Sequence, residues 1–270
     1  TIGEQNAMKT LRMRRLLRHG RGLFTPLDHG ATLGPIAGIE TIENTVRTLA
    51  ESGRVDAVIL HKGPLERCAE VLAEHDHMST ILHLSGAPGF GPESKKKVLL
   101  SSVQDAVALG ADGVSVHVNL GNRHTSAMMA DLGEVSSACR TWGMPLLAMM
   151  YIQADGTEPV DPHAHRIAAR IAAEAGADMV KIAHVGDVAE LKTIIDGAGI
   201  PVLVSGGAAM DDERLFLQQM AEALDAGAAG FAVGRNVFQA NDVAATLESL
   251  HQMLHADRML RTADFQSAGR

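Results

Sequence analysis

Ala175-Gly176-Ala177-Asp178-Met179-Val180-Lys181-Ile182-Ala183 joins a helix end, a small-residue turn and a short apolar run. Glycine just past a helix end is the usual residue for a left-handed stop. The apolar run is short and rich in branched residues, which suits a buried strand. The same turn recurs in Leu109-Gly110-Ala111-Asp112-Gly113, in Ala226-Gly227-Ala228-Ala229-Gly230 and in Ser52-Gly53-Arg54-Val55-Asp56, each ahead of another apolar run. Outward from Lys181 the apolar runs are Gly22–Asp28, Asp56–His61, Thr80–Ser85, Gly113–Val118, Pro145–Tyr151, Asp178–Ala183, Pro201–Ser205 and Gly230–Gly234. Helical spacing fills the intervals: Ile39–Ser52, Leu65–His75, Val103–Leu109, Ser126–Trp142, Pro162–Ala175, Val188–Ala198, Asp211–Ala226 and Asp242–His255. Near-continuous apolar strands alternating with helices indicate a parallel sheet covered by helices. Eight such units in 270 residues predict an α/β fold, a TIM (β/α)8 barrel, with an open doubly wound sheet as the alternative. The basic segment 4–20 (Lys9, Arg12, Arg14, Arg15, Arg18) predicts an extra N-terminal helix, about residues 1–20, closing the bottom of the barrel. No linker interrupts the pattern, so residues 1–270 read as one domain, and the tail 259–270 is expected to be poorly ordered or used in a subunit contact.

Composition narrows the class. The chain carries 24 basic and 32 acidic residues, a formal charge of −8, which argues against a general binder of nucleic acid or acidic membranes. Its two cysteines, Cys68 and Cys139, suggest neither a disulfide framework nor a zinc site, and a reduced, cytoplasmic setting is the expectation. No signal peptide is read, and no apolar run is long enough to span a bilayer.

In such barrels the C-terminal strand ends and the loops after them build the active site. Lys181 sits near one of these ends among apolar neighbours. A dry setting disfavours the ammonium and leaves an amine able to form a Schiff base with a carbonyl substrate. Asp28, at the end of the first run, is placed to pair with that lysine or to move protons, and Tyr151, the chain's single tyrosine, is placed as a general acid or base. His61, His83 and His117 end the second, third and fourth runs. They suit either a metal, as in a metal-dependent lyase, or a hydrogen-bonding pocket for an anionic substrate. Ser205-Gly206-Gly207 and Val233-Gly234-Arg235-Asn236 end the last two runs. Paired glycines before helices let backbone N–H groups approach an anion, the loops after strands seven and eight are this fold's usual phosphate site, and Arg235 adds a charge-assisted contact.

Several motifs together resemble the archaeal-type class I (Schiff-base) aldolases. They are Leu27-Asp28-His29-Gly30 with Gly34-Pro35-Ile36, His61-Lys62-Gly63, His83-Leu84-Ser85-Gly86, Trp142-Gly143-Met144-Pro145-Leu146, the Lys181 run, Ser205-Gly206-Gly207 and Val233-Gly234-Arg235-Asn236. The match is closest to the family's 2-amino-3,7-dideoxy-D-threo-hept-6-ulosonate synthase branch, which includes relatives that join dihydroxyacetone phosphate to aspartate semialdehyde. The resemblance implies that Lys181 is the Schiff-base lysine, Tyr151 the proton donor and Asp28 the proton acceptor. It implies substrate contacts from His29, Gly30, Ala31 and Thr32 and from Ile152 and Gln153, beside the strand-end candidates His61, His117 and Ser205. It implies a phosphate site of Gly206, Gly207, Gly234 and Arg235, small phosphorylated ketone and aldehyde substrates, no metal or other cofactor, and a homo-oligomer. One departure stands out: the family's tyrosine is commonly followed by Pro-Arg-Gly, and here Ile152 and Gln153 follow Tyr151. The alternatives are a fructose-bisphosphate or related phosphosugar aldolase or thiolase of the same fold, and a non-catalytic phosphosugar-binding barrel.

Overall fold

The computed structural model describes residues 2–155 and 162–267. Helix α1 (Ile2–Leu16) leads into β1 (Gly22–Pro26), the short α2 (Gly30–Leu33), α3 (Ile42–Ser52), β2 (Ala57–Leu60), α4 (Lys62–Arg67) and α5 (Ala69–Glu74). Next come β3 (Ser79–His83), a small hairpin of β4 (Ser85–Gly86) and β5 (Val98–Leu99), α6 (Val103–Ala108), β6 (Gly113–Leu120) and α7 (Thr125–Trp142). The chain continues through β7 (Leu146–Ile152), α8 (Pro162–Glu174), β8 (Met179–Ala183), α9 (Val188–Ala198), β9 (Val202–Ser205), α10 (Glu213–Asp225), β10 (Gly230–Ala232), α11 (Arg235–Phe238) and α12 (Val243–Ser267). Eight parallel strands close into a barrel in the order β1-β10-β9-β8-β7-β6-β3-β2. The closed ring decides for the TIM barrel over the open sheet.

Side chains alternate across a strand, so one set points into the barrel and the other toward the helices. The outward set joins the helices in one large core that includes Leu23, Val58, Leu82, Val116, Val180 and Val204. The inward set is a second, separate plug of Phe24, Ala57, Ile59, Ile81, Leu147, Met149, Met179, Leu203 and Ala232. Leu16 and Leu17, at the end of α1 and just beyond it, join the plug from below. Room for them comes from glycine: a Cβ on Gly113 would lie 3.2 Å from the Leu16 side chain.

The recurrent small-residue turns have a shared structural role. Asp56, Asp112 and Asp178 accept backbone N–H bonds from Leu23 (2.8 Å), Thr80 (3.0 Å) and Leu146 (2.9 Å), the starts of neighbouring strands. The basic residues of the N-terminal segment then pair with the same acids: Lys9 with Asp178 at 2.9 Å, Arg15 with Asp112 at 2.7 Å and Arg18 with Asp56 at 3.8 Å. The N-terminal helix therefore closes the bottom by apolar packing and by neutralising turn carboxylates.

Burial raises the Asp56 pKa to about 6, outweighing the Leu23 N–H bond and Arg18. The folded chain holds this proton more tightly than the unfolded chain, whose value is about 3.9. The resulting stabilisation is complete below the unfolded value and is lost as pH rises through 6. Asp56→Asn, which can still accept from Leu23, is expected to flatten that slope and to gain about 2–3 kcal/mol at most at pH 8, read by urea unfolding at pH 4 and pH 8.

One local expectation, a single helix over residues 65–75, is corrected. The segment 65–75 is two helices that part at Cys68. The chain after Asp28 forms the short α2. Helix α12 runs on through Met259 as far as Ser267, and no glycine or proline interrupts residues 242–267.

Candidate active site

Seven of the eight inward series end in a polar residue above the apolar plug, and the eighth ends in a glycine. Phe24 and Pro26 lead to Asp28, Ile59 to His61, Ile81 to His83, Ser115 to His117 and Asn119, Met149 to Tyr151, Met179 to Lys181, Leu203 to Ser205 and Ala232 to Gly234. The strand register sets Met149 level with Lys181, and Asn119 level with Tyr151. The period of two thus brings most of the expected site residues to one mouth.

Lys181 is 6% exposed, and its Nζ stands 5.8 Å from the centroid of the Tyr151 ring. The other neighbour of that ring is the His117 imidazole, stacked at 4.5 Å and 20°. His117 Nε2 meets Asn119 Oδ1 at 2.7 Å, and the His117 N–H donates to Ser85 Oγ at 2.8 Å. Tyr151 is therefore held as a slab between a fixed imidazole and the lysine. Among the described residues its hydroxyl has no hydrogen-bond partner, so it is free to meet a substrate.

Asp28 caps no helix; its Oδ2 faces His83 Nε2 at 3.5 Å and its Oδ1 faces His29 Nδ1 at 3.9 Å. Burial pushes its pKa up, but His83, His29, Lys181 and His61 together outweigh that and hold the carboxyl well below the usual range. It is a carboxylate at any working pH. His83 Nδ1 contacts Ser115 Oγ at 2.8 Å, and His61 Nδ1 contacts the His83 carbonyl at 3.2 Å. Burial depresses His83 to about 3, against the pull of Asp28, and His117 to about 4. Both imidazoles are neutral at pH 7. Among the described residues no group of three His, Cys, Asp or Glu side chains is placed to hold a metal ion.

The two glycine loops meet at the opposite rim. Gly207 takes a left-handed φ of +71°. Arg235 Nη2 donates to the Gly207 carbonyl at 3.1 Å, and Asn236 Nδ2 donates to the carbonyls of Gly206 and Ala208, both at 2.8 Å. A Cβ on Gly234 would collide with His29 Cε1 and the Pro26 carbonyl, at 2.7 and 2.8 Å. Among the described residues no acceptor meets the backbone N–H groups of Gly206, Gly207 or Gly234. Arg235 Nε and His29 Nδ1 are buried without a hydrogen-bond partner. Unpartnered buried polar atoms are rare and call for an explanation. An oxyanion in this cradle would supply one.

The remaining candidates divide. Gly30 and Ala31 line a cavity of about 510 Å³ that borders the mouth at His61 and also includes Leu27, Ile39 and Arg67. Thr32 Oγ1 donates to the Ala87 carbonyl at 2.9 Å and holds Lys97. Ile152 is turned outward onto the helix-side core, so the structure does not bring its side chain to the mouth, and Gln153 is exposed. Asn119 and Lys97 were missed. Asn119 was findable, since it follows Ser115 and His117 on the inward face. Lys97 lies in the run Ser94-Lys95-Lys96-Lys97, which by itself looks like solvated charge.

Comparison with known proteins agrees with this geometry. The profile described as DeoC/LacD family aldolase matches residues 23–240. The chain belongs to the DeoC/LacD family of aldolases. The aldolase is 40% identical over 250 residues to the 2-amino-4,5-dihydroxy-6-oxo-7-(phosphonooxy)heptanoate synthase of Streptomyces griseus, covering 92% of this chain and 90% of the relative. It is 39% identical over 249 residues to the 2-amino-3,7-dideoxy-D-threo-hept-6-ulosonate synthase 1 of Archaeoglobus fulgidus, covering 92% of each. Among solved structures, an archaeal fructose 1,6-bisphosphate aldolase superposes with a TM-score of 0.83 at 29% identity, over 92% of this chain and 99% of that one. A structure of an archaeal fructose-1,6-bisphosphate aldolase with its catalytic lysine covalently bound to the carbinolamine intermediate superposes at 0.82 with 28% identity, again over 92% and 99%. The chain is a class I aldolase, of the Schiff-base-forming kind.

Proposed function

We propose that the aldolase joins dihydroxyacetone phosphate to aspartate semialdehyde through an imine on Lys181, making a seven-carbon amino keto acid phosphate. One observation carries this reading: a 6% exposed lysine beside the ring of the chain's single tyrosine, in a mouth that also holds a buried carboxylate and an anion cradle. The substrate pair follows from the product named for the Streptomyces relative. That product has an amino group at C2, hydroxyls at C4 and C5, a ketone at C6 and a phosphate on C7. An aldol bond forms at the carbon next to a ketone, so the bond made is C4–C5. Breaking it returns dihydroxyacetone phosphate and a four-carbon amino acid aldehyde.

The donor phosphate sits on the Gly206-Gly207 and Gly234-Arg235 loops, which leaves its ketone over Lys181. The Lys181 amine attacks the carbonyl, water departs, and the protonated imine draws electrons from the neighbouring C–H bond. Asp28, already a carboxylate, takes that proton. The enamine carbon attacks the aldehyde, and Tyr151 donates a proton to the new alkoxide. Water then releases the product and regenerates the amine. The cysteines suit a reducing, cytoplasmic setting, since Cys68 and Cys139 are buried and unpaired and burial pushes their thiols up to about 11 and about 12. Among the described residues no helix is long and apolar enough to cross a membrane.

The test is product mass. With dihydroxyacetone phosphate and aspartate semialdehyde, a single new species with the summed mass of the two substrates is expected. Turnover with glyceraldehyde 3-phosphate as acceptor, and none with the semialdehyde, would turn the reading to fructose-bisphosphate aldolase, as in the solved archaeal structures.

A further inference from the structure

The mouth has two halves. Going round the ring from β10 and β9, which carry the anion loops, the path passes β8 with Lys181, then β7 with Tyr151, then β6 and β3. The hairpin β4–β5 lies beyond β3, and Lys97 leads into β5. Its two lysine neighbours are spent on the surface: Lys95 Nζ donates to the Ala154 carbonyl at 2.7 Å, and Lys96 pairs with Glu93 at 3.9 Å. Lys97 turns inward and is 8% exposed. Its Nζ donates to Thr32 Oγ1 at 3.2 Å, and among the described residues it forms no ion pair. Thr32 belongs to α2, which follows Asp28; burial pulls the Lys97 pKa down and the Asp28 charge pulls it up, while the Lys97 charge helps to depress His117.

A buried ammonium with one hydroxyl as its hydrogen-bond partner is costly, and an anion arriving beside it relieves that cost. Its basic neighbours are neutral or already paired. His83 and His117 are neutral at pH 7, and Lys62 and Arg123 are paired with Asp105 and Glu93. Lys181 and Lys97 both act on the Asp28 carboxylate, and Arg235 acts on His29 beside it, within a chain of net charge −8.

We infer that Lys97 binds the carboxylate of the acceptor aldehyde and so sets the enzyme's preference for an acidic acceptor. The inference rests on the reaction proposed above and adds to it a binding site for the second substrate. The order of groups along the product matches the order of strands: phosphate on β10 and β9, the imine carbon on β8, the new bond and its hydroxyl at β7, and the carboxylate at the β6–β3 rim.

The experiment compares aspartate semialdehyde with uncharged butyraldehyde, using dihydroxyacetone phosphate as donor. In Lys97→Met the ratio of kcat/KM for the two aldehydes is expected to fall about 10- to 100-fold, mostly through KM for the semialdehyde. Lys97→Arg should restore most of that ratio, which a merely structural role would not require. Borohydride trapping with donor alone should still label Lys181 in Lys97→Met. L-homoserine, the alcohol corresponding to the semialdehyde, needs no turnover. Its binding, read by calorimetry, should weaken by a similar factor in Lys97→Met, so Lys97 is tested even where the imine step fails. An unchanged aldehyde ratio, an equal loss with both aldehydes, or homoserine binding that ignores the substitution would overturn the inference.

Discussion

Replacing Lys181 by alanine is expected to lower kcat by roughly 10⁵-fold or more, the scale seen when a covalent nucleophile is removed. The substitution deletes the amine that carries the electron sink, and no neighbouring group replaces it. The inward plug that fills the barrel is built from Phe24, Ile59, Ile81, Leu147, Met149, Met179 and Leu203 without Lys181, so the variant should fold. The anion loops are untouched, so donor binding should persist while turnover disappears. Lys181→Arg should be equally inactive, because a guanidinium stays charged and cannot attack a ketone. Steady-state rates together with donor binding by calorimetry separate the two effects.

The second large effect is expected at Tyr151. Tyr151→Phe keeps the ring that stacks on His117 at 4.5 Å and flanks Lys181, and removes only the hydroxyl. A drop in kcat of roughly 10²–10⁴-fold is expected, the usual contribution of a general acid or base. KM for the donor should change little. The imine should still form, because the amine and the cradle remain. A variant that loses imine formation along with turnover would show that Tyr151 positions Lys181 and does not act as the proton donor.

Most of the barrel was legible because its signals are local and repeated. An apolar run of about five residues, a small-residue stop and a helical spacing specify a βα unit wherever they occur. The period of two then carries each strand from plug to mouth, which is why Asp28, His61, His117, Tyr151, Lys181 and Ser205 could be read from strand ends. What escaped depends on contacts distant in sequence. The hairpin β4–β5 has two residues per strand and no periodicity to detect. Lys97 looks like its neighbours Lys95 and Lys96, and its hydrogen-bond partner Thr32 lies 65 residues earlier. Ile152 was expected at the mouth on the strength of its place after Tyr151. One step along a strand reverses the face, and its apolar side chain belongs with the helices.

Trapping the imine tests the central claim most directly. The chain is incubated with dihydroxyacetone phosphate and borohydride, digested, and mapped by mass. The account predicts one adduct of reduced donor, on the peptide carrying Lys181, and none in Lys181→Ala. Turnover without any adduct, or an adduct on Lys97 in place of Lys181, would contradict it.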